Sequence, residues 1–95
     1  METVKQHQVI NQLNLIASRI KAQSGDYSDL DVKVLPPQRP GSPYAIDVSK
    51  GRISRRVSVD MKTAEQLQKG IVDAMLTREL RSVMLSVARL AHKKQ

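Results

Sequence analysis

Apolar residues recur at three- and four-residue spacings along residues 4–23, as Val9, Ile10, Leu13, Ile16, Ala17 and Ile20. Asn11, Asn14, Ser18 and Lys21 fall on the opposite side, so the pattern predicts an amphipathic helix. Ser24 and Gly25 provide its stop, with Gly25 suited to a left-handed cap. An acidic loop at residues 26–31 then leads into three stretches of period-two alternation. Residues 31–35 set Val32 and Val34 on one side, residues 44–49 set Tyr44, Ile46 and Val48, and residues 52–60 set Ile53, Val57 and Val59. Each stretch predicts a half-buried strand. Lys50-Gly51 predicts a tight reversal between the last two, which pairs Asp47 near Ser54. Arg55 falls on the apolar side of its strand, so either a bulge turns it outward or, the favoured reading, it lies at a sheet edge with the stem covered and the head in water. All four prolines lie within residues 36–43, where neither helix nor central strand can form.

From residue 63 to residue 94 there is no proline, and Gly70 is the only glycine. Helical residues advance by about 100° each. On that wheel Leu67, Ile71, Ala74 and Met75 form one stripe, which continues as Arg78, Arg81, Arg89 and His92. A second stripe, Leu76, Leu80, Val83, Val87 and Leu90, takes over on roughly the opposite side. Thr63 and Gln66 fit a capping box at the start. An unbroken helix of this length spans roughly 45 Å, whereas a typical strand spans ~17–20 Å. The helix therefore either projects beyond the sheet or breaks near residues 76–78, where Thr77 is available to cap a second piece.

The expected fold class is α+β, with the order α-β-β-β-α. An antiparallel three-stranded meander carries the helices on one face. Double-stranded RNA-binding domains share this order of elements, but their glycine-proline-histidine loop and their lysine cluster at the last helix have no counterpart here. Order of elements alone carries no function.

At 95 residues the chain is expected to form a single domain, residues 1–95. Tyr27 and Tyr44 are the only aromatic residues, so the core must be aliphatic and thin. There is no cysteine, which excludes disulfides and thiolate metal sites and fits a reducing compartment. The polar segment around Glu2 lacks the apolar core of a signal peptide, and no apolar run is long enough to span a bilayer. The expected location is the cytoplasm.

Charge changes the picture more than composition does. Residues 1–49 hold five Lys/Arg and five Asp/Glu, while residues 50–95 hold eleven against four and so carry the whole net charge of +7. Such a one-sided basic surface attracts phosphate polyanions or acidic proteins, though it also serves solubility. Lys50, Arg52, Arg55 and Arg56 at the hairpin, with Arg78, Arg81 and Arg89 on the last helix, are the candidate nucleic-acid contacts. Contacts to phosphate give affinity without sequence choice. With so few aromatic residues to stack on bases, duplex backbone is the expected target rather than single strands.

The second stripe has a 4-3-4-3 spacing, the coiled-coil repeat, widened by Met84 and Ala91. Leu76, Leu80, Val83, Val87 and Leu90 are thus the candidate oligomer interface, serving a homodimer or a partner protein. Packing against the chain's own body is the competing reading. Pro37, Pro40 and Pro43 have the three-residue period of a polyproline II ligand, although a stiff connection explains them equally.

Catalysis finds little support. Asp47 with Asp60-Met61-Lys62 loosely fits a metal-nuclease pattern, but the expected pairing separates the two carboxylates by roughly 20 Å, too far to share one ion. No metal or cofactor site is expected. The composite expectation is a non-enzymatic binding protein, dimeric, contacting duplex nucleic acid through the hairpin and the last helix. The alternative is a protein-interaction subunit that docks through the helix seam.

Overall fold

The structure is a computed structural model that describes residues 4–93, with side chains described for residues 4–91. Helix α1 covers Val4–Lys21, strands β1, β2 and β3 cover Asp31–Leu35, Tyr44–Lys50 and Ile53–Val59, and helices α2 and α3 cover Met61–Gln68 and Ala74–Lys93. The α+β meander expected from the alternation is present, with strand order β1-β2-β3 and both pairings antiparallel. Helix α3 packs on β2 and β3, while α1 packs on β1 and α2.

The core follows the two periodicities. Val9, Leu13, Ile16, Ala17 and Ile20 of α1 are buried against Tyr44, Ile46, Val48, Val57 and Val59 of the sheet and Leu76, Leu80, Met84 and Val87 of α3. Tyr27 and Leu30 close the core where α1 turns into β1. Gly25 does not take a left-handed conformation there. Instead Ser24 caps a short 3-10 turn, Gly25–Tyr27, by accepting the Asp26 amide.

The hairpin register differs from the expected one by two residues. Lys50 pairs with Ile53 across Gly51 and Arg52, which sets Asp47 opposite Arg56 rather than Ser54. Gly51 has φ of +61° as the first loop residue, the position that a II′ turn reserves for glycine. A two-residue shift leaves every side chain on its expected face, because the side-chain period is two.

Of the two expected outcomes, a projecting helix or a broken one, the structure has the break, and it falls at residues 69–73 rather than at 76–78. Asp60, not Thr63, caps α2, its Oδ1 accepting the Thr63 amide at 2.8 Å. The helix ends on Gly70, whose φ of +82° is left-handed. The Gly70 amide donates to the Leu67 carbonyl and the Ile71 amide to the Gln66 carbonyl, the pair of bonds that defines a Schellman end. Asp73, not Thr77, then starts α3 by accepting the Met75 amide at 2.9 Å. Replacing Asp73 with alanine is expected to cost about 1 kcal/mol, read as a lowered urea midpoint.

The break resolves the change of sides. Ala64 and Leu67 are the buried positions of α2, and Leu76, Leu80, Met84 and Val87 those of α3. Each helix needs only one apolar face, and both turn it toward the same core. Left outside are the end of the first stripe and its neighbour, with Ile71, Val72 and Met75 exposed by 53, 43 and 75%.

Candidate nucleic-acid interface

The hairpin presents its basic residues in two directions. On β3, Arg56 stands on the sheet face away from the helices, opposite Asp47 and in the same row as Lys33 of β1. Arg55 stands on the helix-bearing face, opposite Val48. Because β3 is an edge strand and its ladder runs unbroken from Ile53 to Val59, Arg55 reaches water without a bulge. Its Nη1 donates to the Ser54 carbonyl at 2.9 Å. Arg52 sits exposed at the tip beside Gly51.

Two of the four hairpin cations are held by acids. Arg56 grips Asp47 with two bonds, Nε to Oδ1 at 2.6 Å and Nη2 to Oδ2 at 3.0 Å. That fork geometry is the stronger form of ion pair. Lys50 lies 3.6 Å from Asp29, a looser surface pair that adds little stability. The acids Asp29 and Asp47 belong to the electrically neutral half of the chain, so folding places counterions on the hairpin that its own composition does not show.

On α3, Arg78, Arg81 and Arg89 are all exposed. Arg78 and Arg89 stand nearly opposite the buried Leu80 and Met84, with Arg81 on one flank. Glu79 is exposed on the other flank. The helix arginines thus stand on the outer side of α3, while Arg55 and Arg56 of the hairpin stand on opposite faces of the sheet. The side chains of His92 and Lys93, and all of Lys94, lie outside the described residues.

The expected seam faces inward. Leu76, Leu80 and Val87 are 5, 0 and 0% exposed within the chain's own fold, and Met84 beside them is fully buried. Val83 and Leu90 are half-buried. The competing intramolecular reading thus accounts for the 4-3-4-3 spacing through packing on β2 and β3.

The proline loop is a turn and not an extended helix. The Ser42 amide donates to the Arg39 carbonyl at 3.0 Å, with Pro40 and the left-handed Gly41 between them, the residue preferences of a type II turn. The loop walls a groove of about 620 Å³ that the sequence did not signal. Gly41 and Pro43 of the loop, Val59 and Met61 at the end of β3 and the start of α2, and Met75 and Leu76 of α3 line it. Its ionisable residues are all acidic: Asp60, Asp73 and Glu79. Two of these are the caps of α2 and α3, so the groove lies where both helices begin.

The hydrogen bonds from Arg56 hold the Asp47 carboxyl below its ordinary pKa, aided by the charges of Arg56 and Lys33 against a small desolvation penalty. The Thr63 backbone amide does the same for Asp60. An acid whose folded pKa is depressed stabilises the fold fully above its unfolded value, about 3.9 for Asp. That contribution is lost as pH falls through the folded value. Stability is therefore expected to be level above pH ~5 and to decline below pH ~4. Asp60→Asn should flatten part of that decline in an acid titration followed by circular dichroism, and an unaltered profile would remove Asp60 as a source.

The described residues contain no group of three acids, histidines or cysteines able to hold a metal ion, and no helix long and apolar enough to cross a membrane. No protein-family model, curated protein or solved structure matches the chain.

Proposed function

We propose that the protein is a non-catalytic binding protein that acts in the cytoplasm and grips the phosphate backbone of duplex nucleic acid. The observation that supports this is the outward display of Arg78, Arg81 and Arg89 on α3. Arg52 and Arg55 at the hairpin tip and edge add to it. Lys50 and Arg56 join the contact only by exchanging a carboxylate partner for a phosphate, which makes them secondary. Arginine suits the role because its planar fork matches two phosphate oxygens at once.

The test is binding of a 20-base-pair DNA and a 20-base-pair RNA at two salt concentrations. Affinity should fall steeply with salt, and each arginine changed to alanine should reduce the logarithmic slope by about one. Arg78→Ala with Arg81→Ala should weaken binding at least ~10-fold without altering the fold. Unchanged affinity in that double variant would take the α3 face out of the contact. Failure of the parent to bind either duplex at low salt would end the proposal.

A second reading is a subunit that docks onto a partner protein through its C-terminal helices. The exposure of Ile71, Val72 and Met75 favours it. The surface used would be the end of the first stripe, since Leu76, Leu80 and Val87 are committed to the core.

A further inference from the structure

One stripe of α3 carries its charges in a self-complementary order. Met75, Glu79, Ser82, Ser86 and Arg89 fall within a sector about 80° wide on the helical wheel, and the same 4-3-4-3 repeat continues to Lys93. The sector lies away from the buried Leu80 and Val87. Met75 is 75% exposed, Glu79, Ser82 and Arg89 are exposed, and Ser86 is half-covered. The acid stands toward the helix N-terminus, the bases toward the C-terminus, and two small residues lie between them.

We infer that a second copy of this chain docks antiparallel on this stripe, forming a two-fold dimer through the outer face of α3. With the two-fold axis between Ser82 and Ser86, Ser82 of one copy meets Ser86 of the other, Glu79 meets Arg89, and Met75 meets Lys93. Each pair occurs twice, and the contact closes on itself as a two-fold interface must. The small serines allow the two backbones to approach closely.

The groove beside the stripe supports the same occupant. Its ionisable residues, Asp60, Asp73 and Glu79, are all acidic in a chain of net charge +7. The antiparallel partner would bring the C-terminal part of its α3, with the exposed Arg89, toward that groove. The chain's own C-terminal end cannot reach it, because the 20 residues of α3 hold the two ends about 30 Å apart. A parallel pair would instead place like charges together, Glu79 on Glu79 and Arg89 on Arg89.

The interface is one helix pair with exposed ion pairs, smaller than the roughly 800 Å² per partner of a stable dimer. Association is therefore weak, concentration-dependent and weakened by salt. Dimerisation does not rest on nucleic-acid binding and is read as mass in the absence of nucleic acid; in the dimer Arg89 is paired, and Arg78 and Arg81 are the α3 cations left for phosphate.

Sedimentation between about 10 µM and 1 mM protein should show a monomer–dimer equilibrium. Glu79→Arg and Arg89→Glu should each weaken it at least ~10-fold, and the two together should restore it to within ~3-fold of the parent. Because the chain has no cysteine, a nitroxide can be attached at Met75→Cys alone. The antiparallel pair places the two labelled backbones about 28 Å apart, whereas a parallel pair places them at about 10 Å. A parent that stays monomeric up to 1 mM, a double reversal that fails to recover, or a short label distance would each overturn the inference.

Discussion

Leu80→Ala is expected to lower the stability of the monomer by about 2–5 kcal/mol, the range for emptying a fully buried leucine site. Leu80 is 0% exposed and sits between buried Leu76 and Met84 on the face that α3 turns to β2 and β3. A domain of this length has only about 5–14 kcal/mol in total, so one side chain holds a large share of it. Truncation leaves a cavity that Leu76, Met84 and Val87 can fill only in part. Leu85, on the opposite side and 36% exposed, should change stability by less than ~0.5 kcal/mol when truncated. The pair of variants separates two uses of the same helix. If the stripe served mainly as a docking seam, Leu80→Ala would alter assembly and leave the urea midpoint of the monomer in place. A collapsed midpoint for Leu80→Ala beside a parental one for Leu85→Ala is the outcome the packing requires.

Much of the fold was legible because binary patterning is local. Val9 through Ile20 and the alternation of Ile46, Val48, Val57 and Val59 name their buried faces directly. The α3 stripe was equally legible as a stripe, but periodicity states that a face is buried and not what buries it. Leu76, Leu80 and Val87 face the sheet because the chain turns at residues 69–73, and a turn of that kind depends on one glycine and one cap. The candidate site was read least well for a related reason. Charge counts along the chain cannot see Asp47 opposite Arg56, which a hairpin register off by two residues hides, or Asp29 reaching Lys50 from the loop before β1. The groove was invisible for the same cause. It is assembled from a proline loop, a strand end and two helix starts, and no local pattern in any of them tells that they meet.

Gly70→Ala is expected to destabilise the protein by about 1–2 kcal/mol, the cost of holding a residue with a Cβ in the left-handed region. That corresponds to roughly 4–16 °C in melting temperature for a domain of this size. The cause is confined to the backbone. A Cβ built at Gly70 meets no atom within 4 Å, so no clash contributes, and φ of +82° is the whole source of strain. Asparagine tolerates this conformation better than alanine, so Gly70→Asn should lose less than Gly70→Ala. That order opposes intrinsic helix propensity, in which alanine is the better residue. The opposition makes the comparison decisive. If Gly70 only interrupted one continuous helix, alanine would extend it and raise stability above both the parent and the asparagine variant. If Gly70 is the left-handed close of α2, as its bond to Leu67 and the Ile71 bond to Gln66 indicate, asparagine outranks alanine and both fall below glycine. The same residue then fixes where Asp73 begins α3 and which face of that helix reaches the sheet.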